Sequence, residues 1–339
     1  MLLIRPTITT RAMIDVGRHC NAACKFCYYH HLGDLTKQEY KSKEVLQQEI
    51  ACALARGNDY IDFSGGEPML HPALPEIISD LTKQGIRCCV ITNATCGTNT
   101  LQKVLDAGVD DFLISIHGTA EVHDKVVGIP NARNLQLNFI QHLRNENKDF
   151  RFNCVIGAHN QYELFAIASL MSIEYPTIVN FINFNPHGDW SNDIAGIRAT
   201  CANLNVVEEG LNSAIHLLEH CNIGVNVRYY PMCKIAEEYR RCVCNDLHVM
   251  FDPYEWDNGV ADHSFSSFKQ WGEMTSKAME WQLEPCQGCN LHKICGGINR
   301  AFNGATYGGY PEPITDVVPD DFYFYRQHNY RTLHERGML

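Results

Sequence analysis

No run in this sequence approaches the ~18 consecutive apolar residues of a membrane span. The start, Met1-Leu2-Leu3-Ile4-Arg5-Pro6, lacks the apolar segment of ~7–15 residues that marks a secretory signal. Both absences point to a cytoplasmic, reduced chain with no membrane partner. Basic residues are also scarce: 28 Lys+Arg stand against 39 Asp+Glu, a net charge of −11. Without a basic tract, nucleic acid and anionic membrane surfaces are excluded as partners, although a local basic pocket for an anionic substrate stays open. There is no internal repeat and no low-complexity segment. Hydrophobic residues at 45% and charged residues at 20% exclude a disordered, collagen-like or coiled-coil chain. The 339 residues suffice for about two domains, or one large domain with an extension.

Cysteine is what the chain has in excess, with 16 residues and as many histidines. In a reduced protein these thiols are buried small hydrophobes or metal ligands, and spacing decides which. The first ~190 residues alternate strand-like and helix-like stretches. Strands are expected at 12–16, 60–63, 87–92, 112–116, 152–156 and 178–184, with helices at 43–55, 74–84, 100–107, 134–144 and 163–173. Regular alternation implies right-handed crossovers and a parallel sheet. About six units fit a partial (β/α)6 barrel, or an open doubly wound sheet. A helix at 206–220 and a strand at 224–230 follow, and beyond Pro231 the alternation fades into Cys-, Gly-, Pro- and aromatic-rich sequence. The polar stretch at 191–197 suggests a boundary between a core of 1–195 and a small domain of 196–339.

Behind the first strand stands His19-Cys20-Asn21-Ala22-Ala23-Cys24-Lys25-Phe26-Cys27, a C-x3-C-x2-C loop. Three thiolates this close can converge on one soft metal centre. No fourth cysteine follows locally, so zinc completed by His30 or His31, or plain buried thiols, are the alternatives. About 40 residues on, Asp62-Phe63-Ser64-Gly65-Gly66-Glu67-Pro68 closes the second strand. Thr92-Asn93-Ala94 ends the third and Ser115-Ile116-His117-Gly118 the fourth. Polar side chains at such strand ends face the ligand-binding rim of a parallel fold.

These motifs resemble those of the radical S-adenosylmethionine (SAM) superfamily, over roughly residues 10–190. The resemblance implies that Cys20, Cys24 and Cys27 hold three irons of a [4Fe–4S] cluster, with Phe26 just before the last ligand. It implies that SAM chelates the fourth iron and is cleaved by one electron to methionine and a 5′-deoxyadenosyl radical. Gly65, Gly66 and Glu67 would then receive the SAM ammonium. Asn93 and Ser115 would touch its carboxylate and ribose, with His117, Asn153 and Asn185 as weaker candidates. The protein would supply placement and exclusion of water. An electron donor such as flavodoxin or ferredoxin is implied, and so is oxygen sensitivity.

A second set reads Cys286, Cys289 and Cys295 in a C-x2-C-x5-C pattern, with Cys233, Cys242 and Cys244 upstream. Clustered C-x2-C sequences in a segment short of core are a metal signal, with zinc as the alternative. The segment resembles the SPASM and twitch auxiliary-cluster domains of radical SAM proteins. A full SPASM pattern continues with a further cysteine where this chain has Asn299, so the resemblance implies one auxiliary [4Fe–4S] cluster. Its ligands would be Cys286, Cys289 and Cys295 plus Cys233 or Cys244. A cysteine left over, Cys233, Cys242 or Cys244, is a candidate hydrogen-atom donor. The other cysteines (52, 88, 89, 96, 154, 201, 221) are read as packing, and the aromatic residues Phe251, Tyr254, Trp256 and 322–325 as a small apolar core.

The expected function is radical SAM chemistry on a small polar substrate of sugar, aminoglycoside or nucleoside type, leading to oxidation, epimerisation or rearrangement. Only ~12 residues precede the first strand, too few for the peptide-recognition domain frequent in relatives that modify ribosomal peptides. Peptide modification is the alternative, followed by a non-catalytic zinc or iron–sulfur protein.

Overall fold

The computed structural model describes residues 9–27, 29, 39–186, 190, 193–244, 256–257, 259, 264, 266–267, 270, 274, 280–281, 284–292, 295–299 and 312–317. His30, His31, Phe251, Tyr254 and 322–325 lie outside the described residues.

Eight strands form one curled sheet in chain order, every neighbouring pair parallel. They are β1 (Arg11–Asp15), β2 (Tyr60–Ser64), β3 (Arg87–Thr92), β4 (Asp111–Ser115), β5 (Asp149–Ile156), β6 (Ile178–Asn183), β7 (Gly224–Arg228) and β8 (Val243–Cys244). Helices α1 (Lys43–Arg56), α2 (Leu74–Thr82), α3 (Thr98–Asp106), α4 (Ala120–Val127), α5 (Ala132–Asn145), α6 (Leu164–Ile173), α7 (Ile194–Thr200) and α8 (Leu204–His220) fill the crossovers. The partial barrel expected from the alternation is present, and its sheet runs two strands beyond the six, past residue 195. No described helix is long and apolar enough to cross a membrane.

Two helices were not expected. The short α4 buries His123, Val126 and Val127 and ends on Gly128, whose φ of 70° suits glycine. From Ile194 the chain forms α7, whose first turn the Asp193 side chain caps by accepting from Gly196 N–H at 2.8 Å.

Alternate strand residues face opposite sides. Ile61, Phe63, Val90, Phe112, Ile114, Phe150 and Phe152 face the helices and form the main core. The other face, the lumen, is polar. Arg11 donates to both carboxylate oxygens of Asp62 at 2.8 Å, and its guanidinium lies 3.6 Å over the Tyr60 ring. Arg151 donates to Asp111 at 2.9 Å, and Tyr60 OH donates to Asp111 at 3.0 Å. Burial raises the Asp111 carboxyl, but Arg151 and Arg11 outweigh it and hold it at about 2.

The outer edge of β1 is covered from far along the chain. Trp256 bridges Arg11 in parallel, and Asp257 N–H donates to the Arg11 carbonyl at 2.9 Å. Asn58 Nδ2 fastens Asp257 Oδ2 at 2.7 Å. Covering an edge strand removes a template for unwanted pairing.

Candidate active site

The cysteine loop leaves β1 at the C-terminal rim of the sheet, where parallel α/β folds bind ligands. Three sets of bonds hold it. Gly66 N–H donates to the Gly17 carbonyl and Glu67 N–H to the His19 carbonyl, both at 2.8 Å. This zips the Gly-Gly-Glu turn to the backbone just before Cys20. A Cβ on Gly66 would lie 2.1 Å from the His19 oxygen, so only glycine permits the approach. Ala23 and Lys25 N–H donate to the carbonyls of Val127 and Val126 at 2.8 and 3.1 Å. Asn93 Nδ2 donates to Asn21 Oδ1 at 2.8 Å, and Asn21 Nδ2 to Thr95 Oγ1 at 2.9 Å.

Glu67 is 2% exposed at the base of this arrangement. Its Oε1 accepts from Thr92 Oγ1 at 2.6 Å and Met69 N–H at 3.0 Å, and its Oε2 from Asn93 N–H at 2.7 Å. Burial pushes its carboxyl up to about 7 against the pull of those bonds. A cationic ligand group in the adjoining space would restore its charge.

Cys20, Cys24, Cys27, Glu67, Asn93 and Ser115 all line one cavity of about 450 Å³. His117, Asn153 and Asn185 line it too. His117 Nδ1 accepts from Val155 N–H at 3.1 Å, and burial holds the imidazole well below its ordinary range. The ring is therefore neutral, with its proton on Nε2. It meets Phe26 edge-on at 4.5 Å, while His159 stacks on Phe26 at 5.6 Å, so two imidazoles seat the residue before Cys27. Asn153 Oδ1 is buried with no hydrogen-bond partner among the described residues. A buried acceptor of this kind calls for a ligand donor.

The donor set fits an iron–sulfur cluster. Three thiols on one loop, all lining one cavity, are the soft donor set that a cluster with an open position takes. Burial pushes Cys20 up to about 11 and Cys24 up to about 12, with neighbouring negative charge adding to each. A multi-iron cation would reverse that shift. The group that does close within 4.8 Å among the described residues is Asp62, Cys89 and Asp111. Arg11 and Arg151 already occupy it, so it is an ion-pair network.

Of the second set, Cys286 and Cys289 flank a helical turn, with Cys289 N–H donating to the Cys286 carbonyl at 3.1 Å. Ile314 N–H donates to Cys289 Sγ at 3.4 Å, and Cys295 N–H to the Leu291 carbonyl at 2.9 Å. Cys233 accepts from the Glu312 backbone and feels the charge of Cys286. Cys244 registers with Arg228 across β7 and β8, and its thiol donates to the Val227 carbonyl at 3.5 Å. Cys242 lies beside Glu219 Oε1 at 3.5 Å.

The sequence reading missed several residues. Gln136 is fully buried and donates to the carbonyls of Asn93 and Ser115 at 2.9 and 2.7 Å, tying β3 to β4. A polar residue inside the apolar stripe of the 134–144 helix was its signal. Arg228 lines the cavity from β7. Its signal was the alternation of Val225 and Val227 with Asn226 and Arg228. Trp256, read as part of an apolar core, also lines the cavity, and its Nε1 donates to Asp62 Oδ2 at 2.7 Å.

Comparison with known proteins agrees with this geometry. Residues 14–164 match the model of the radical SAM superfamily. An AdoMet-dependent heme synthase of Oleidesulfovibrio alaskensis is 34% identical over 43% of this chain, a match spanning 38% of that protein. The AdoMet-dependent heme synthase of Nitratidesulfovibrio vulgaris is 25% identical over 90% of this chain and 91% of its own length. Among solved structures, anSMEcpe with bound AdoMet and a peptide shares the fold, with a TM-score of 0.57, 15% identity and coverage of 92% and 93% of the two chains. Residues 14–164, within the half-barrel, thus carry a radical SAM domain.

Proposed function

We propose that this enzyme cleaves SAM reductively and takes a hydrogen atom from a small polar substrate of sugar, aminoglycoside or nucleoside type. The observation that carries the reading is that one cavity joins Cys20, Cys24 and Cys27 to Glu67 and to polar side chains from β4 to β7. A [4Fe–4S] cluster on the three thiolates would supply the electron that cleaves SAM to methionine and the 5′-deoxyadenosyl radical. Glu67, once ionised, would hold the SAM ammonium. Asn93 would keep the cysteine loop in place through Asn21, while Ser115 and Asn153 offer hydrogen bonds on the far side of the cavity. Neutral His117 would present Nε2–H as a fixed donor. Phe26 would help to exclude water.

A second cluster would rest on Cys286, Cys289 and Cys295 with a fourth ligand from Cys233 or Cys244, and Cys233 is favoured because it feels the charge of Cys286. A second substrate reading, a tetrapyrrole, is favoured by the match to the Nitratidesulfovibrio vulgaris heme synthase along 90% of this chain.

The test is oxygen-free purification and reconstitution, then iron and sulfide counts. About eight of each per chain supports two [4Fe–4S] clusters, and about four leaves the second set to zinc or to structure. Dithionite-plus-SAM assays with sugars, nucleosides and an iron porphyrin follow. Zinc without iron would overturn the proposal.

A further inference from the structure

Tyr230 follows β7, where the chain leaves the half-barrel for the second cysteine set. Tyr229 before it takes a left-handed φ of 53°, and its carbonyl accepts from Asn183 Nδ2 at 3.0 Å. Tyr229 lines the cavity, whereas Tyr230 is 4% exposed and packs in the apolar core. The Tyr230 hydroxyl is buried there with no hydrogen-bond partner among the described residues. A buried tyrosine O–H ordinarily has an acceptor, and phenylalanine would fill the same volume without a polar group.

The surroundings supply a candidate acceptor. Cys233 lies on the next helical turn, Met232–Lys234, which Lys234 N–H closes on the Pro231 carbonyl at 3.0 Å. Cys233, Cys289 and Cys295 pack against the same apolar core as Tyr230. Glu312 ties the turn to the tail twice. Its N–H donates to Cys233 Sγ, and its carboxylate meets Lys234 Nζ at 2.8 Å. The Tyr230 hydroxyl feels the charge of Cys233, as Cys233 feels that of Cys286. Burial, with the charges of Glu208 and Cys233 adding to it, raises the hydroxyl well above its ordinary range, so it keeps its proton.

We propose that the Tyr230 hydroxyl donates a hydrogen bond to a sulfur of the auxiliary [4Fe–4S] cluster on its Cys233 side, and that this bond raises the reduction potential of the cluster. The proposal rests on the reading that Cys233, Cys286, Cys289 and Cys295 hold such a cluster, and it adds a residue outside the ligand set. Reduction brings one electron to the cluster and makes its sulfurs better acceptors. An O–H aimed at them therefore stabilises the reduced form more than the oxidised one. Tyr230 is a positioning residue: it transfers no atom and acts through the cluster.

The test uses the full chain carrying Cys20→Ala, Cys24→Ala and Cys27→Ala, reconstituted without oxygen, so that the second cysteine set alone loads. About four irons per chain are expected. Potentiometric titration with dithionite, followed by electron paramagnetic resonance, compares this parent with the same chain carrying Tyr230→Phe. Iron content and melting temperature should match. At a fixed potential the reduced-to-oxidised ratio should fall about tenfold in Tyr230→Phe, a downward shift of ~59 mV for one electron. Brief exchange into D2O should couple a hydroxyl deuteron to the reduced parent cluster in electron–nuclear double resonance, and Tyr230→Phe should lack that coupling. A ratio changed by less than about twofold, or a coupling that survives Tyr230→Phe, would overturn the proposal. If Tyr230→Phe loads less iron, the parent alone decides: a strong exchangeable coupling sustains the bond, and its absence overturns it. A parent that loads no iron sinks the cluster reading and the proposal together, whereas a loaded cluster without the shift sinks the proposal alone.

Discussion

The two cysteine sets are held by opposite means. The loop of Cys20, Cys24 and Cys27 rests on backbone bonds to the Gly-Gly-Glu turn and to the end of α4, above a continuous apolar core. The set around Cys286 rests on a helical turn and a two-residue strand pair, Glu280–Trp281 with Ile298–Asn299. Leu291 and Ile314 supply the buried apolar side chains among the described residues 284–317. The first is a site that a fold provides. In the second, the described residues 284–292, 295–299 and 312–317 contribute only these two buried apolar side chains, and a bound metal would add the staple that a small segment of this kind uses.

The contrast breaks most sharply at Cys24. Cys24→Ala is expected to abolish 5′-deoxyadenosine formation while leaving the melting temperature of the apoprotein nearly unchanged. Product formation by the reconstituted variant, read by chromatography, would refute the ligand assignment. Cys289→Ser should act in reverse. Iron should fall by about half, and limited proteolysis should open the 284–317 segment while the half-barrel stays intact. If the segment resists protease as in wild type, the second region does not depend on its metal.

Asp111→Ala probes what stiffens the first region. It strips Arg151 and Tyr60 of their acceptor and leaves buried charge behind, a loss of ~3–5 kcal/mol in urea unfolding. A loss below ~1 kcal/mol would mean that the lumen network contributes little to the frame under the cysteine loop. The smallest expected effect is a slope. The Glu67 carboxyl is raised in the fold to about 7 from an ordinary value near 4.5. The folded state thus binds its proton more tightly than the unfolded chain. Apoprotein stability should therefore fall as pH rises from ~4.5 to ~7. Glu67→Gln removes that contribution, and an unchanged pH dependence of the melting temperature would argue against a protonated Glu67.

The sheet was largely legible because its helix-facing residues are plainly apolar. Charge on the lumen face blurred the ends: Arg11 and Arg151 hid the first residues of β1 and β5, which the apolar pattern started too late. The two-residue β8 is too short to show a period at all. Among the candidate site residues, Cys20, Cys24 and Cys27 stood out by spacing, and Glu67 by the resemblance of its Gly-Gly-Glu-Pro stretch to a family motif. Gln136 and Trp256 did not, because their roles depend on partners 43 and 194 residues away. Motif spacing reports neighbours along the chain. It says nothing of a side chain delivered from a distant segment.

The bridge between Arg11 and Trp256 has a temporal side. During synthesis β1 leaves the ribosome early, and its outer edge waits for residues that emerge on the order of tens of seconds later. Throughout that interval the nascent half-barrel presents an open strand to its neighbours on the polysome. Slow translation between β8 and Trp256 would lengthen this exposure and lower the soluble yield. A chaperone that occupies strand edges would raise it.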